Sequence, residues 1–160
     1  MMERLWAPWR LGYIREGDKE GCFLCRILAE DDDRGNLLLK RGKSCGIVMN
    51  RYPYNNGHLM VFPFRHVAEP GLLNPGEKQE SMDLAIEAVA ALREVGRPDG
   101  FNIGVNLGRA AGAGVEEHLH THIVPRWAGD TNYMPVVGAV KVIPQSLPDL
   151  WDELYPVLNR

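Results

Sequence analysis

Apolar and polar positions alternate along this chain in two rhythms, the two-residue repeat of strands and the 3.6-residue repeat of a helix. Residues 37–40 and 45–49 are apolar runs on either side of Arg41-Gly42-Lys43 and read as two strands around a turn. Turn residues fill 50–57, including Pro53 and Asn55-Asn56-Gly57, and a third strand is expected at 58–62, stopped by Pro63. Asn74 and Pro75 form an N-cap and first-turn pair; the helix they open is expected to run to about Glu94, with Gly96 as its stop. Met82, Ala85, Val89 and Leu92 make one apolar stripe along it, widened to a core face by Leu84, Ala88, Ala91 and Val95. A fourth strand is expected at 101–106. In the fifth, 117–127, His118, His120 and His122 alternate with Leu119, Thr121 and Ile123. Successive strand side chains point to opposite faces, so this spacing puts three imidazoles on one face and the other three side chains toward a core.

Short helical stretches at 26–30 and 150–158 and an apolar run at 134–142 complete the pattern. About five strands joined by short turns around one main helix, with a short C-terminal helix, predict an α+β fold with a mostly antiparallel sheet. At 160 residues this is read as a single domain over 1–160, with 1–35 as an N-terminal arm and 36–145 as the core. A net charge of −3 gives no general reason to expect nucleic-acid binding, so any anion site must be built locally. No apolar run reaches the roughly 18 residues of a membrane span. Residues 1–10 mix charge with Trp6, Pro8 and Trp9, so no leader is expected and a cytoplasmic location follows. Three cysteines, an odd number, argue against a disulfide framework and leave metal binding open.

Three of the five histidines fall within five residues, and three chemistries compete for them. They are a solvated strand face, the ligands of a catalytic metal, or a nucleophilic imidazole with its helpers in phosphoryl or nucleotidyl transfer. The preceding segment favours the last. Gly108-Arg109-Ala110-Ala111-Gly112-Ala113-Gly114 is made of small residues that let backbone N–H groups approach and cradle a phosphate. Arg10, Arg109 and Arg126 are further candidates for phosphate contacts.

The run His118-Leu119-His120-Thr121-His122-Ile123-Val124 resembles the signature of the histidine triad (HIT) superfamily, with Thr121 at one normally apolar position. Asn50-Arg51-Tyr52-Pro53 and Gly57-His58-Leu59-Met60-Val61 are similar to that family's nucleotide-binding strand region. Leu5-Trp6-Ala7-Pro8-Trp9-Arg10, Tyr52-Pro53-Tyr54-Asn55, Pro125-Arg126-Trp127-Ala128-Gly129-Asp130 and Lys141-Val142-Ile143-Pro144-Gln145 bring the likeness closest to its bacterial diadenosine tetraphosphate phosphorylases. The resemblance implies a HIT-like fold and an enzyme that cleaves dinucleoside polyphosphates through a covalent AMP-histidine intermediate, with phosphate or water as acceptor. Hydrolysis of dinucleoside polyphosphates or adenosine phosphoramidates, or low-turnover nucleotide binding, are the rivals. It makes His120 the nucleophile and has His122 contact the reacting phosphate or assist the leaving group. His118 then supports the other imidazoles or ligates metal. Asn50 would meet the ribose, His58 would lie near the nucleotide pocket, and Asn106, Gly112 and Gly114 would meet phosphate. At Gly114 many relatives carry a polar side chain, so only backbone is offered there. A homodimer joined through sheet edges is also implied, with no organic cofactor.

Cys22-Phe23-Leu24-Cys25 alone is compatible with a redox pair, buried thiols or a structural zinc. Relatives with such a pair add a histidine after the third strand and the first histidine of the triad. The resemblance therefore implies a structural zinc on Cys22, Cys25, His66 and His118.

Overall fold

The computed structural model describes residues 21–111, 115–130, 137 and 142–160. The expectations for the arm before residue 21, for Arg10, for Gly112 and Gly114, and for most of the apolar run 134–142 lie outside the described residues. The chain order is α1 (Phe23–Ala29), β1 (Leu38–Arg41), β2 (Cys45–Met49), β3 (Leu59–Pro63), α2 (Pro75–Gly96), β4 (Gly100–Val105), β5 (Thr121–Arg126) and α3 (Leu147–Leu158). The five strands form one sheet in the order β1-β2-β3-β5-β4, each pairing antiparallel. The fold is α+β, as the sequence pattern implied.

Every residue of β2 and β3 is buried, because helices cover both faces of the central sheet. On one face α2 and α3 bring Leu84, Ala88, Leu92 and Leu154 onto Ile47, Val61 and Ile123. On the other, Leu24 and Ile27 of α1 meet Val48, Met60 and Phe62. Burying each large aliphatic side chain contributes about 1.5–3 kcal/mol. The two-residue alternation of the strands therefore decides which helix each one meets.

Asn74 caps α2 as expected, and Glu77 completes a reciprocal capping box. Arg65 donates two hydrogen bonds to Glu77 and a third to the Leu72 carbonyl. The guanidinium, then the Asn74 N–H, hold the Glu77 carboxyl well below its ordinary range, at about 2. That pair ties the segment after β3, which carries His66, to the start of α2.

Four expectations need correction. Pro63 is the last paired residue of β3, opposite Cys45, rather than the residue that stops the strand before it. Gly96 lies inside α2, and Arg97 takes the left-handed cap conformation (φ 45°) instead. Met82 is 61% exposed, because the apolar stripe is wider than the sheet face it covers. Its exposed margin borders a groove of about 370 Å³ lined by Met82, Ile86, Val89, Ile103, Val105 and Leu119. Finally, β5 begins at Thr121, so His118 and His120 precede the paired strand. Among the described residues no helix is long and apolar enough to cross a membrane.

Candidate active site and metal cluster

The site is assembled where the 50–57 loop, β3 and the start of β5 converge. Gly57 adopts φ +73° to turn the chain into β3, and a Cβ there would lie 2.9 Å from Leu92 and 3.1 Å from Pro125. Only glycine fits both the conformation and the space. The turn is braced by Asn55, a buried amide that donates to the Pro125 carbonyl and to Asp130. Asp130 also accepts two hydrogen bonds from Arg126, whose third goes to Asn102. Arg126 is thus taken up in this brace rather than facing the histidines.

The brace delivers His58 beneath the site, 1% exposed. Its Nδ1 accepts the Tyr54 N–H at 3.1 Å and faces the Asn50 amide nitrogen at 3.3 Å. With Nδ1 an acceptor, the proton of the neutral ring sits on Nε2, which donates to His122 Nδ1 at 2.9 Å. His122 in turn holds its own proton on Nε2. Asn106 Nδ2 lies 3.5 Å from that nitrogen, the outer limit of hydrogen bonding. Burial, reinforced by His122 and then His120, pushes His58 down to about 3. Burial and His120 push His122 down to about 4, so both rings are neutral near pH 7.

His120 is 6% exposed, and its ring centroid lies 4.8 Å from that of His122. Its Nδ1 sits 2.9 Å from the backbone carbonyl of His118. A carbonyl only accepts, so Nδ1 carries the proton and Nε2 keeps its lone pair. The arrangement offers a nucleophilic nitrogen next to a neutral N–H donor, the pair that displacement at a charged phosphorus needs.

The alternation read from the sequence holds even though the strand proper starts later. His122 pairs with Met60 in register, and His118 packs edge-on against Phe62, on the sheet face that α1 covers. Leu119 and Thr121 line the groove beside α2, and Ile123 is in the core on that side. His118 departs toward the cysteines. Its Nε2 donates to the Pro63 carbonyl at 2.7 Å, which leaves the Nδ1 lone pair directed at Cys22 (3.2 Å) and Cys25 (3.6 Å). Cys25 lies 3.3 Å from His66 Nδ1, and one ligand atom from each of the four residues lies within 4.8 Å of the others. A tetrahedral zinc with sulfur at about 2.3 Å and nitrogen at about 2.0–2.1 Å has ligand–ligand edges of roughly 3.3–3.8 Å. The four residues fit that ion. The carbonyl behind His118 is the kind of partner that orients a ligating imidazole. Burial, then Cys22, raise the Cys25 thiol, so a thiolate there calls for a neighbouring cation.

The structure thus brings His58, His118, His120, His122, Asn50 and Asn106 to one region, and Cys22, Cys25 and His66 to its flank. His58 lies under the site with both ring nitrogens engaged, rather than lining a pocket. Tyr54, Asn55 and Asp130 were not singled out as site residues by sequence reasoning. For Tyr54 and Asn55 the signal was the tight turn to Gly57 directly before His58, whereas Asp130, 75 residues from Asn55, carried no local signal.

Residues 35–129 match the HIT domain family. The chain is 43% identical over 157 residues to AP-4-A phosphorylase of Mycobacterium tuberculosis, an alignment covering 92% of this chain and 80% of that protein. It is 30% identical over 96 residues to the asymmetrical bis(5′-nucleosyl)-tetraphosphatase of Schizosaccharomyces pombe, covering 60% of this chain and 52% of that protein. Among solved structures, a Zn-bound histidine triad family protein from Mycobacterium smegmatis superposes with a TM-score of 0.69 at 24% identity, over 87% of this chain and 94% of that one. With more than half of its length inside the family match and a relative aligned along nearly all of it, the chain belongs to the HIT domain family.

Proposed function

We propose that this HIT-family enzyme cleaves dinucleoside polyphosphates, diadenosine tetraphosphate among them, by transferring AMP to His120 and then to inorganic phosphate. The observation that carries this is the hydrogen bond from His120 Nδ1 to the His118 carbonyl, which leaves Nε2 free as a nucleophile beside the His122 N–H. The 43% identity to AP-4-A phosphorylase supports phosphate as the acceptor. In the first step His120 Nε2 attacks the α-phosphorus, a nitrogen–phosphorus bond forms, and the bond to the bridging oxygen breaks. ATP departs as an anion. The His122 N–H stabilises the charge growing on that oxygen without giving up its proton, because a ring held at about 4 is a neutral donor. In the second step phosphate attacks the AMP-histidine and ADP leaves. Asn50 is assigned to the ribose, and Asn106 with the backbone at Gly112 and Gly114 to the phosphates.

Hydrolysis is the second reading, supported by the likeness to a tetraphosphatase. Water in place of phosphate would yield AMP. Cys22, Cys25, His66 and His118 would hold a structural zinc that cross-links α1 to the segment before β5. Such thiolates fit a reducing cytoplasm. The apolar groove beside α2, together with β4, which pairs only with β5 among the described residues, supports a homodimer through that edge.

The test incubates the enzyme with diadenosine tetraphosphate, with and without inorganic phosphate. ADP plus ATP formed only with phosphate is expected; AMP plus ATP without it would establish hydrolysis instead. His120→Ala should bind nucleotide and release no product, and turnover surviving that change would exclude the covalent route.

A further inference from the structure

We propose that Tyr54 is a substrate-contacting residue that stacks on the base of the departing nucleotide. The inference rests on the assignment of His122 to the leaving group. Tyr54 is 55% exposed, although its neighbours in the chain are held firmly. Its own N–H is bonded to His58 Nδ1, and the next residue, Asn55, is buried and fixed to Pro125 and Asp130. The ring lies tilted against His58 (centroids 4.5 Å apart) and His122 (5.6 Å apart). One side of an aromatic ring therefore covers the neutral histidine pair, while the rest faces solvent at the rim of the reaction site.

An aromatic side chain whose backbone is already fixed loses little freedom on binding. It also has the chemistry a nucleobase recognises, a flat polarisable face indifferent to base identity. Position selects which base. The described ring contacts of Tyr54 are with the buried His58 and with His122, the residue assigned to the departing oxygen. What lies beyond that oxygen in a dinucleoside polyphosphate is the second nucleotide. Tyr54 would thus favour substrates whose leaving group carries a base, and its phenol would be dispensable.

The experiment compares Tyr54→Ala, Tyr54→Phe and wild type on diadenosine tetraphosphate and on adenosine 5′-fluorophosphate, whose departing group is fluoride. In Tyr54→Ala, kcat/KM for the dinucleotide should fall at least about tenfold further than for the fluorophosphate, the scale of one aromatic–base stack. The extra loss should appear in KM, with a matching weakening of product inhibition by ATP. Tyr54→Phe should restore all three. Equal losses on the two substrates, or a failure of Phe to rescue, would overturn the assignment and leave Tyr54 as support for the histidine pair. A wild-type enzyme that cleaves neither substrate would instead remove the proposed function, and this inference with it.

Discussion

Replacing His58 by Leu tests whether a buried histidine controls the proton position of an active one. Leucine fills a similar volume, so the 1%-exposed site is left with little cavity. What is lost is the donor to His122 Nδ1 and the acceptor for the Tyr54 N–H. A buried polar atom left unsatisfied costs about 1–3 kcal/mol, and two are stranded, so stability should fall by about 2–6 kcal/mol. The catalytic cost follows from the same figure. Whenever the His122 proton is on Nε2, where the departing oxygen needs it, Nδ1 now faces leucine without a partner. That penalty of about 1–3 kcal/mol enters the barrier and slows kcat roughly 5- to 150-fold. KM for the nucleotide should change less, because His58 is buried and has no face of its own open to substrate. His58→Gln, whose amide both donates and accepts, should recover part of each loss. Turnover of diadenosine tetraphosphate gives the rate, thermal unfolding gives the stability, and ¹⁵N spectra of labelled histidine report the His122 tautomer. A folded His58→Leu protein with His122 still wholly in the Nε2–H form and kcat within about threefold of wild type would refute the reasoning.

Other outcomes follow from the same geometry. Gly57→Ala should lower stability by about 1–2 kcal/mol for the left-handed backbone alone, with more from the contacts at Leu92 and Pro125; an unchanged melting temperature would count against the turn as drawn. The buried neutral histidines predict acid sensitivity. Below the ordinary value of 6.5 the unfolded chain takes up protons that His58 and His122 refuse until about 3 and about 4. Their contribution is therefore complete above pH 6.5 and declines as pH falls toward those values. Melting temperatures from pH 8 to 4 should show the decline, and His58→Leu should have a shallower slope. Freshly purified protein should carry about one zinc per chain, and Cys25→Ser less than about half that, by elemental analysis after gel filtration; equal loading of the two would remove Cys25 from the ligand set.

Much of this was legible in the sequence, for identifiable reasons. β2 was placed residue for residue because an apolar run between turn residues has few alternatives, and Asn74-Pro75 marked the start of α2 through local chemistry alone. The end of α2 was misplaced because the choice between Gly96 and Arg97 as the cap depends on where Trp127 and β4 meet the helix, which no local signal carries. The exposure of Met82 had the same origin: periodicity gives the width of an apolar face but not of the surface it meets. At the site, alternation told which histidines share a face. It could not tell that His58 would lie beneath them, since that depends on the register of β3 against β5 and on the brace from Asn55 to Asp130.

The three histidines of the signature carry the same side chain at equal spacing, yet each makes a different offer: the Nδ1 lone pair of His118, the Nε2 lone pair of His120 and the Nε2–H of His122. The difference comes from the partner behind each ring. For His118 and His120 it is a backbone carbonyl, which takes the proton of Nε2 in one and of Nδ1 in the other. His118 therefore turns a lone pair toward the cysteines, and His120 keeps one for a substrate. For His122 the partner is His58, itself oriented by the Tyr54 N–H, and the result is an N–H rather than a lone pair. Each assignment depends on backbone that the sheet and the 50–57 turn hold in place. Substitutions that move this backbone, such as one at Gly57, should therefore impair catalysis without touching an imidazole, and should do so by scrambling protons rather than by removing groups.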